Sequence, residues 1–239
     1  MDRMRALGVA AVLAVSAGTC GAAASGAPQA VSARYEVFWN GTRVAVQNET
    51  FEARDGHYRI VSESRAVGPL ALIAPRPLRA TSSGRRTDAG LLPQLFEGGR
   101  GSNDPRRVHA EFDWEAERLT VARRDRNEIL PLPPGTQDQL SIMYQFMFLA
   151  PDQPQLLHLT RTNGRKLEQH SYAVRTGVEI ETPLGRMTTV HLVRQHLPNE
   201  DGVEVWLAPQ HHYLPIKLLI LDDKGARYEQ VMTRLEIKP

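Results

Sequence analysis

Cysteine is almost absent from this sequence, and its absence excludes several kinds of chemistry. The 239 residues include one cysteine, Cys20, which lies in an N-terminal segment that we expect to be removed. A mature chain without cysteine has no disulfide, no thiol nucleophile and no cysteine-ligated zinc. The fold must therefore be stabilised by the burial of apolar side chains.

Long hydrophobic runs are also missing. The longest apolar run, Ala6–Ala17, is shorter than the roughly 20 residues that a helix needs to span a bilayer. It follows a basic start and is followed by small residues through Ala24, which is the three-part pattern of a secretory signal peptide. Ala22 and Ala24 stand where signal peptidase prefers alanine. We predict a signal peptide over residues 1–24 and a single all-β domain over residues 25–239, with no transmembrane segment in the mature chain.

Two alternatives for the processing of this segment stay open. Cleavage after Ala27 would place Pro28 first, which is a poor start. Lipid attachment at Cys20 is disfavoured because Thr19 stands where lipoprotein signals usually carry Gly or Ala. We therefore expect a periplasmic protein that is exported by a cleavable signal peptide.

The net charge is small, at +2 for the whole chain, which argues against nucleic acid as a partner. Arginine outnumbers lysine by 25 to 4. Guanidinium groups suit the recognition of anionic polymers or lipid head groups, although a GC-rich genome produces the same bias. Two arginine clusters could line an anionic groove or form a solvated face: Arg100, Arg106 and Arg107, and Arg123, Arg124 and Arg126.

Alternation of apolar and polar residues predicts strands along most of the mature chain. Tyr35, Val37 and Trp39 are two residues apart and therefore share one face of a strand. Asn40-Gly41 and Asn163-Gly164 tolerate positive φ, so each predicts a tight hairpin turn. We predict about thirteen strands.

One segment departs from the strand period. Gln137–Leu149 has apolar residues at helical spacing, and Thr136 with Gln139 has the spacing of a capping box. The apolar Leu70–Ala74, within a proline-rich stretch, predicts a loop. The expected fold class is mainly β. It is a strongly curved antiparallel sheet or incomplete β-barrel with one main α-helix, at about residues 137–149, packed on its concave side.

No group of residues has the spacing of a known catalytic or metal site. His211-His212 are adjacent, and His191 and His196 are five apart, so each pair should point to opposite faces of a strand. Glu179 and Glu181 share a strand face, as solvated carboxylates often do. We predict no catalytic residue, no metal ligand and no cofactor, and hence a protein that is not an enzyme.

The tryptophans and the apolar face of the helix are candidates for the lining of a ligand cavity between helix and sheet. Packing of the same side chains into a filled core is the alternative. The candidate lining residues are Trp39, Leu140, Met143, Tyr144, Met147 and Trp206, and the candidate structural motif is Gln137, Asp138 and Ser141.

The helix start Gly135–Ser141, followed by Tyr144, resembles DUF3108, a bacterial envelope family of unknown function. The family has no established activity, so the resemblance implies location and fold. It implies a curved sheet with an enclosed helix, similar to the periplasmic lipoprotein carriers, which hold acyl chains between sheet and helix. Weaker matches lie at Tyr35, Phe112-Asp113, Thr182–Gly185, Val205–Leu207 and Leu214–Ile216.

These observations support two functional hypotheses. The first is a non-enzymatic periplasmic protein that binds or carries a lipid or another apolar or amphipathic envelope molecule in a cavity between sheet and helix. The second is a structural or adaptor domain that engages envelope proteins or peptidoglycan. An enzyme acting on envelope glycans is a third reading, and it would require two carboxyl groups about 5 to 9.5 Å apart across a cleft.

Overall fold

The computed structural model describes residues 26–101, 104, 106–123 and 126–239, without the side chains of Arg123 and Arg126. The predicted signal peptide, Cys20 and Arg124 lie outside the described residues. The helices are α1 (Leu70–Ile73), α2 (Ser141–Leu149) and a 3₁₀ turn (Pro209–His211). The strands in the described part are β1 (Ala30–Trp39), β2 (Thr42–Arg54), β3 (His57–Ala66), β4 (Leu78–Thr87), β5 (Gly90–Gly99), β6 (Val108–Asp113), β7 (Arg118–Arg123), β8 (Arg126–Pro131), β9 (Gln137–Asp138), β10 (Leu156–Thr162), β11 (Leu167–Thr182), β12 (Gly185–Arg194), β13 (Gly202–Ala208), β14 (Leu214–Leu221) and β15 (Arg227–Lys238).

The strands form one open sheet in the order β8-β7-β6-β5-β4-β3-β2-β1-β15-β14-β13-β12-β11-β10-β9. Nearly all neighbours are consecutive in sequence and antiparallel, as expected for strands joined by short turns. The pairing of β1 with β15 joins the two halves of the sheet. The predicted fold class, a mainly β antiparallel sheet with one main helix, is confirmed.

The two arms of the sheet approach each other without closing into a barrel. The turn between β10 and β11 lies against β6, where a Cβ added to Gly164 would stand 2.8 Å from Cβ of Val108. Arg165 Nη2 in the same turn donates a hydrogen bond of 2.7 Å to the carbonyl oxygen of Arg106. Gly164 also has φ +81°, so glycine fits this turn for reasons of both space and backbone conformation.

The hairpin signals predict the local turns correctly. Asn40 and Gly41 both have positive φ, at 47° and 79°, and Trp39 pairs with Thr42 across the turn. This is the backbone that a two-residue hairpin requires. It starts the pairing of β1 with β2, and an irregularity between Val37 and Phe38 then shifts the register that decides which side chains face the interior.

One wall of the core is built from residues that lie opposite one another on successive strands and so share a face. This row is covered by α2, whose Tyr144 ring stacks on Phe51 with centroids 5.0 Å apart. The row comprises Val31, Phe51, Ile60, Ser82 and Phe96. The helix thus packs on the concave side of the sheet.

The start of the main helix differs from the prediction. Gln137 and Asp138 form the short strand β9, which pairs in parallel with Arg161 and Thr162 of β10, and α2 begins at Ser141. The predicted capping box is wrong, because the Thr136 hydroxyl donates to the carbonyl oxygen of Pro133. Asp138, two residues before the N-cap Leu140, accepts instead the backbone N–H groups of Leu140 and Ser141 at Oδ1.

The segment Leu70–Ala74 also differs from the predicted loop, since Leu70–Ile73 forms the single-turn helix α1. Pro69 precedes it and supplies the φ of −58° that a helix start needs. Strands β8 and β9 were not anticipated from the sequence pattern and raise the strand number above the expected thirteen. No helix in the described ranges is long and apolar enough to cross a membrane.

Candidate functional site

A cavity of about 360 Å³ lies between α2 and the concave face of the sheet. Its wall draws on strands from both arms of the sheet as well as on the helix. The lining residues are Tyr35, Gln47, Glu49, Ser62, Ser64, Leu78, Ala80, Gln139, Leu140, Ile142, Met143, Phe146, Leu159, Arg161, Tyr172, Val203, Val205, Pro215, Lys217, Leu218, Ile220, Tyr228 and Gln230.

The cavity has two chemically different walls. On the β13–β14 side it is aliphatic, with Val205 directly opposite Leu218 and Val203 opposite Ile220. On the β2–β3 side it is polar, with Glu49 opposite Ser62 and Gln47 opposite Ser64. An apolar space bordered by a few placed polar groups is typical of sites for small amphipathic molecules.

Glu49 is the buried carboxyl group of the polar wall, at 6% exposure. Its Oε1 accepts a hydrogen bond of 2.7 Å from Gln47 Nε2, and its Oε2 accepts one of 3.3 Å from the Tyr144 hydroxyl. Within the described residues no cation lies at ion-pair distance from it. Burial raises the pKa of Glu49, and the hydrogen bonds from Gln47, Ser62 and Tyr144 oppose that rise.

This environment predicts a pH dependence of stability. Because the folded pKa of Glu49 lies above its ordinary value of 4.5, the folded state holds the proton more tightly than the unfolded chain does. The stabilisation is complete below the unfolded pKa and is lost as the pH rises through the folded pKa. Urea unfolding at pH values between the unfolded and the folded pKa of Glu49 measures this effect. The free energy of unfolding should fall less with rising pH in Glu49→Gln than in the wild type. Parallel profiles for the two proteins would contradict the assignment.

The mouth of the cavity lies near its exposed lining residues, Leu78 and Gln139. Leu78 begins β4, and the chain reaches it from α1, whose Leu72 and Ile73 are 86% and 81% exposed. Ser64, near the end of β3 that leads into α1, is another lining residue. An exposed apolar turn therefore stands between two of the strands that border the opening.

The candidate motif Gln137, Asp138 and Ser141 anchors the helix to the sheet. Asp138 is fully buried, and besides the two backbone N–H groups it accepts a hydrogen bond of 2.5 Å from the Ser82 hydroxyl of β4. Gln137 Nε2 donates to the carbonyl oxygen of Leu91 at 2.9 Å. The motif holds the start of α2 against β4 and β5. Because α2 forms the roof of the cavity, the motif keeps that roof in place.

Gln145 extends this anchoring along the helix and was not singled out in the sequence. Its Oε1 accepts the backbone N–H of Leu91 at 2.7 Å, so Gln137 and Gln145 together satisfy both backbone groups of Leu91. Helical spacing alone could not reveal this, because the partner lies on a strand 54 residues away.

The candidate lining residues are placed differently from one another. Leu140 and Met143 line the cavity, and Tyr144 reaches Glu49 from the adjoining core. Met147 packs against the same core cluster as Tyr144. Neither tryptophan is among the lining residues: Trp39 is 47% exposed at the end of β1, and Trp206 stacks on the His191 ring with centroids 4.3 Å apart.

The other polar residues considered in the sequence are separated from one another. His191 Nε2 bonds Glu204 Oε2 at 2.6 Å, and His211 ends the 3₁₀ turn instead of lying in a strand. Glu181 pairs with Arg186, and Arg107 pairs with Glu97. No cluster of three or more His, Cys, Asp or Glu side chains suited to a metal ion occurs in the part of the chain that the structure describes.

A wider depression of about 910 Å³ lies at the opposite end of β2, beside Gly26–Gln29 and Arg86. Arg86 holds this segment by donating to the carbonyl oxygens of Ala27 and Pro28. The depression borders residues outside the described ranges and has no comparable enclosing helix, so the cavity under α2 is the better candidate site.

Comparison with solved structures shows a shared architecture. The chain is similar to a β-barrel-like protein of domain of unknown function DUF1849 from Brucella abortus, with TM-score 0.53 and 10% identity over 89% of this chain and 99% of that one. Two further similarities are to a protein from Bacteroides fragilis that is inferred to be exported and has a YmcC-like fold (TM-score 0.39, 12% identity, 87% and 96% covered) and to an inferred lipoprotein from Parabacteroides distasonis (TM-score 0.37, 8% identity, 87% and 97% covered). At such identities the first similarity establishes the fold alone.

Comparison with proteins of curated function finds no match. A family model described as a protein of unknown function, DUF3108, matches residues 34–232. That range includes every strand from β2 to β14, as well as α2 and its anchoring motif. The chain therefore belongs to the DUF3108 family.

Proposed function

We propose that this protein is a non-enzymatic periplasmic protein that binds or carries an apolar or amphipathic molecule of the cell envelope. The observation that carries the proposal is the cavity of about 360 Å³ enclosed by α2 and the concave sheet, with an aliphatic wall and a mouth at Leu78. Its volume falls within the range of about 300–1,000 Å³ that is usual for small-molecule sites.

The roof of the cavity explains why this space stays open. The buried hydrogen bonds of Asp138, just before α2, and of Gln145, in the middle of α2, fix the helix to β4 and β5. A helix held in this way cannot settle further onto the aliphatic wall, so the space beneath it is retained for a guest. The location follows from the signal-peptide pattern of residues 1–24.

Native mass spectrometry of protein purified from a periplasm tests the proposal. We expect an additional mass, removed by organic extraction, that corresponds to a lipid or another amphiphile. The extracted protein should then take up a fluorescent fatty-acid probe, with one probe bound per chain. A ligand-free spectrum together with no uptake of the probe would contradict the proposal.

An adaptor role is the second candidate, and the exposed apolar side chains Leu72 and Ile73 of α1 favour it. Such side chains at a protruding turn are suited to contact with another envelope protein. Crosslinking in cells through a photoreactive group at position 72 should then yield one discrete partner. Recovery of the monomer alone would exclude this role for α1.

A further inference from the structure

Buried polar atoms without a partner are concentrated in one place. In the described part of the chain four buried side-chain nitrogen or oxygen atoms lack a hydrogen-bond partner, and three of them are Arg161 Nε, His170 Nε2 and Arg194 Nε. Native proteins leave few such atoms unpaired, and each one calls for an explanation. Their concentration on three adjacent strands points to a common cause.

The three side chains belong to one face of β10, β11 and β12. Arg161 lies opposite Glu168, Leu159 opposite His170, and Arg194 opposite Tyr172. Residues directly opposite one another share a face, as do residues two apart on a strand. Arg161, Leu159 and Tyr172 line the cavity, so the cluster continues the cavity wall.

The charges of the cluster leave an excess of positive donors. Glu168 is shared between Arg161 Nη2 at 3.4 Å and Lys166 Nζ at 2.7 Å. Arg194 Nη2 reaches Glu200 at 3.2 Å, and its side chain is 9% exposed. Burial and the charge of Arg194 lower the pKa of His170, so that ring does not add to the positive charge at neutral pH. Three cations thus face two carboxylates.

We propose that this cluster binds the anionic head group, a carboxylate or a phosphate, of a single-chain amphiphile whose apolar chain occupies the cavity. Arg161, which lines the cavity, donates to the head group through its guanidinium group. Arg194 and His170 are positioning residues that lie behind it. This inference rests on the proposed function and adds the chemical class of the ligand.

Two further features agree with this assignment. A guanidinium group presents several donors in a planar fork that matches carboxylate and phosphate oxygens. The volume of about 360 Å³ is near the lower limit for ligand sites, so it suits one chain rather than several.

Competition against a bound fluorescent fatty-acid probe tests the inference with three ligands of equal chain length: dodecanoate, dodecyl phosphate and dodecanol. We expect at least one of the two anions to bind about tenfold or more tightly than the neutral alcohol. In Arg161→Gln this preference should disappear while the affinity for dodecanol stays unchanged. Arg161→Lys keeps the charge without the fork and should retain part of the preference.

Arg175→Gln is the matched control, because Arg175 is an exposed arginine of the neighbouring strand β11 and lies on the face opposite to the cluster. It should leave all three affinities unchanged.

Equal binding of the anions and the alcohol by the wild type would overturn the head-group assignment and leave the proposed function standing. Loss of dodecanol binding in Arg161→Gln, at an unaltered Tm, would also overturn it. Failure of all three ligands to displace a bound probe would likewise overturn the head-group assignment, whereas failure of the probe to bind, together with a ligand-free native mass spectrum, would refute the proposed function itself. Whichever of the two anions binds with the higher affinity identifies the head group as a carboxylate or as a phosphate.

Discussion

Asp138→Ala should lower the free energy of unfolding by roughly 3–5 kcal/mol, because it leaves three buried donors without an acceptor. These are the backbone N–H groups of Leu140 and Ser141 and the hydroxyl of Ser82. For a chain of this size the loss corresponds to a fall in Tm of about 10 °C. Urea and thermal unfolding followed by circular dichroism measure both quantities.

Asp138→Asn is the matched control for this prediction. The amide keeps an oxygen at the position of Oδ1 for the two backbone donors, and its nitrogen can donate to Ser82, which already contacts the Tyr58 hydroxyl at 3.0 Å. Since burial raises the pKa of Asp138, a neutral side chain is compatible with the site. We expect Asp138→Asn to cost about 1 kcal/mol. Equal stability of Asp138→Ala and wild type would show that the carboxyl group does not anchor α2.

The anchoring network also shows what the sequence could reveal about the fold. The apolar spacing within Gln137–Leu149 predicts the helix, and Asn40-Gly41 predicts the first hairpin, because both signals are local. The start of α2 was misplaced because Gln137 and Asp138 pair with β10 and bond to β4 and β5. These partners are distant in sequence, and strand pairing must be known before they can be identified.

The cavity was harder to predict than the fold for the same reason. Glu49 looks like an ordinary polar position in an alternating strand, and only the register of β2 against β1 and β3 turns it inward. Arg161 and Arg194 were not singled out among 25 arginines, because nothing local distinguishes them from solvated ones. The tryptophans were favoured for their size, yet Trp39 and Trp206 lie outside the cavity lining.

Ala80→Phe should weaken binding of a fatty-acid probe by at least tenfold, which corresponds to about 1.4 kcal/mol or more. Ala80 lines the cavity on β4 and packs against the core beside it. The added ring can enter the existing space, so it competes with the ligand for the same volume. Thr81→Phe places the same ring on the opposite face of β4, opposite Val61 and Glu97, and should leave the affinity unchanged.

The two variants separate occupation of the cavity from general disturbance of β4. A ring that fills empty apolar space gains contacts, whereas one forced into a packed core costs about 1–3 kcal/mol. Ala80→Phe should therefore keep a Tm within a few degrees of the wild type while it loses the probe. If Ala80→Phe binds the probe as the wild type does, the ligand does not occupy this cavity. The exposed turn of α1 would then be the surface to pursue, because its apolar side chains lie outside the space that the ring fills.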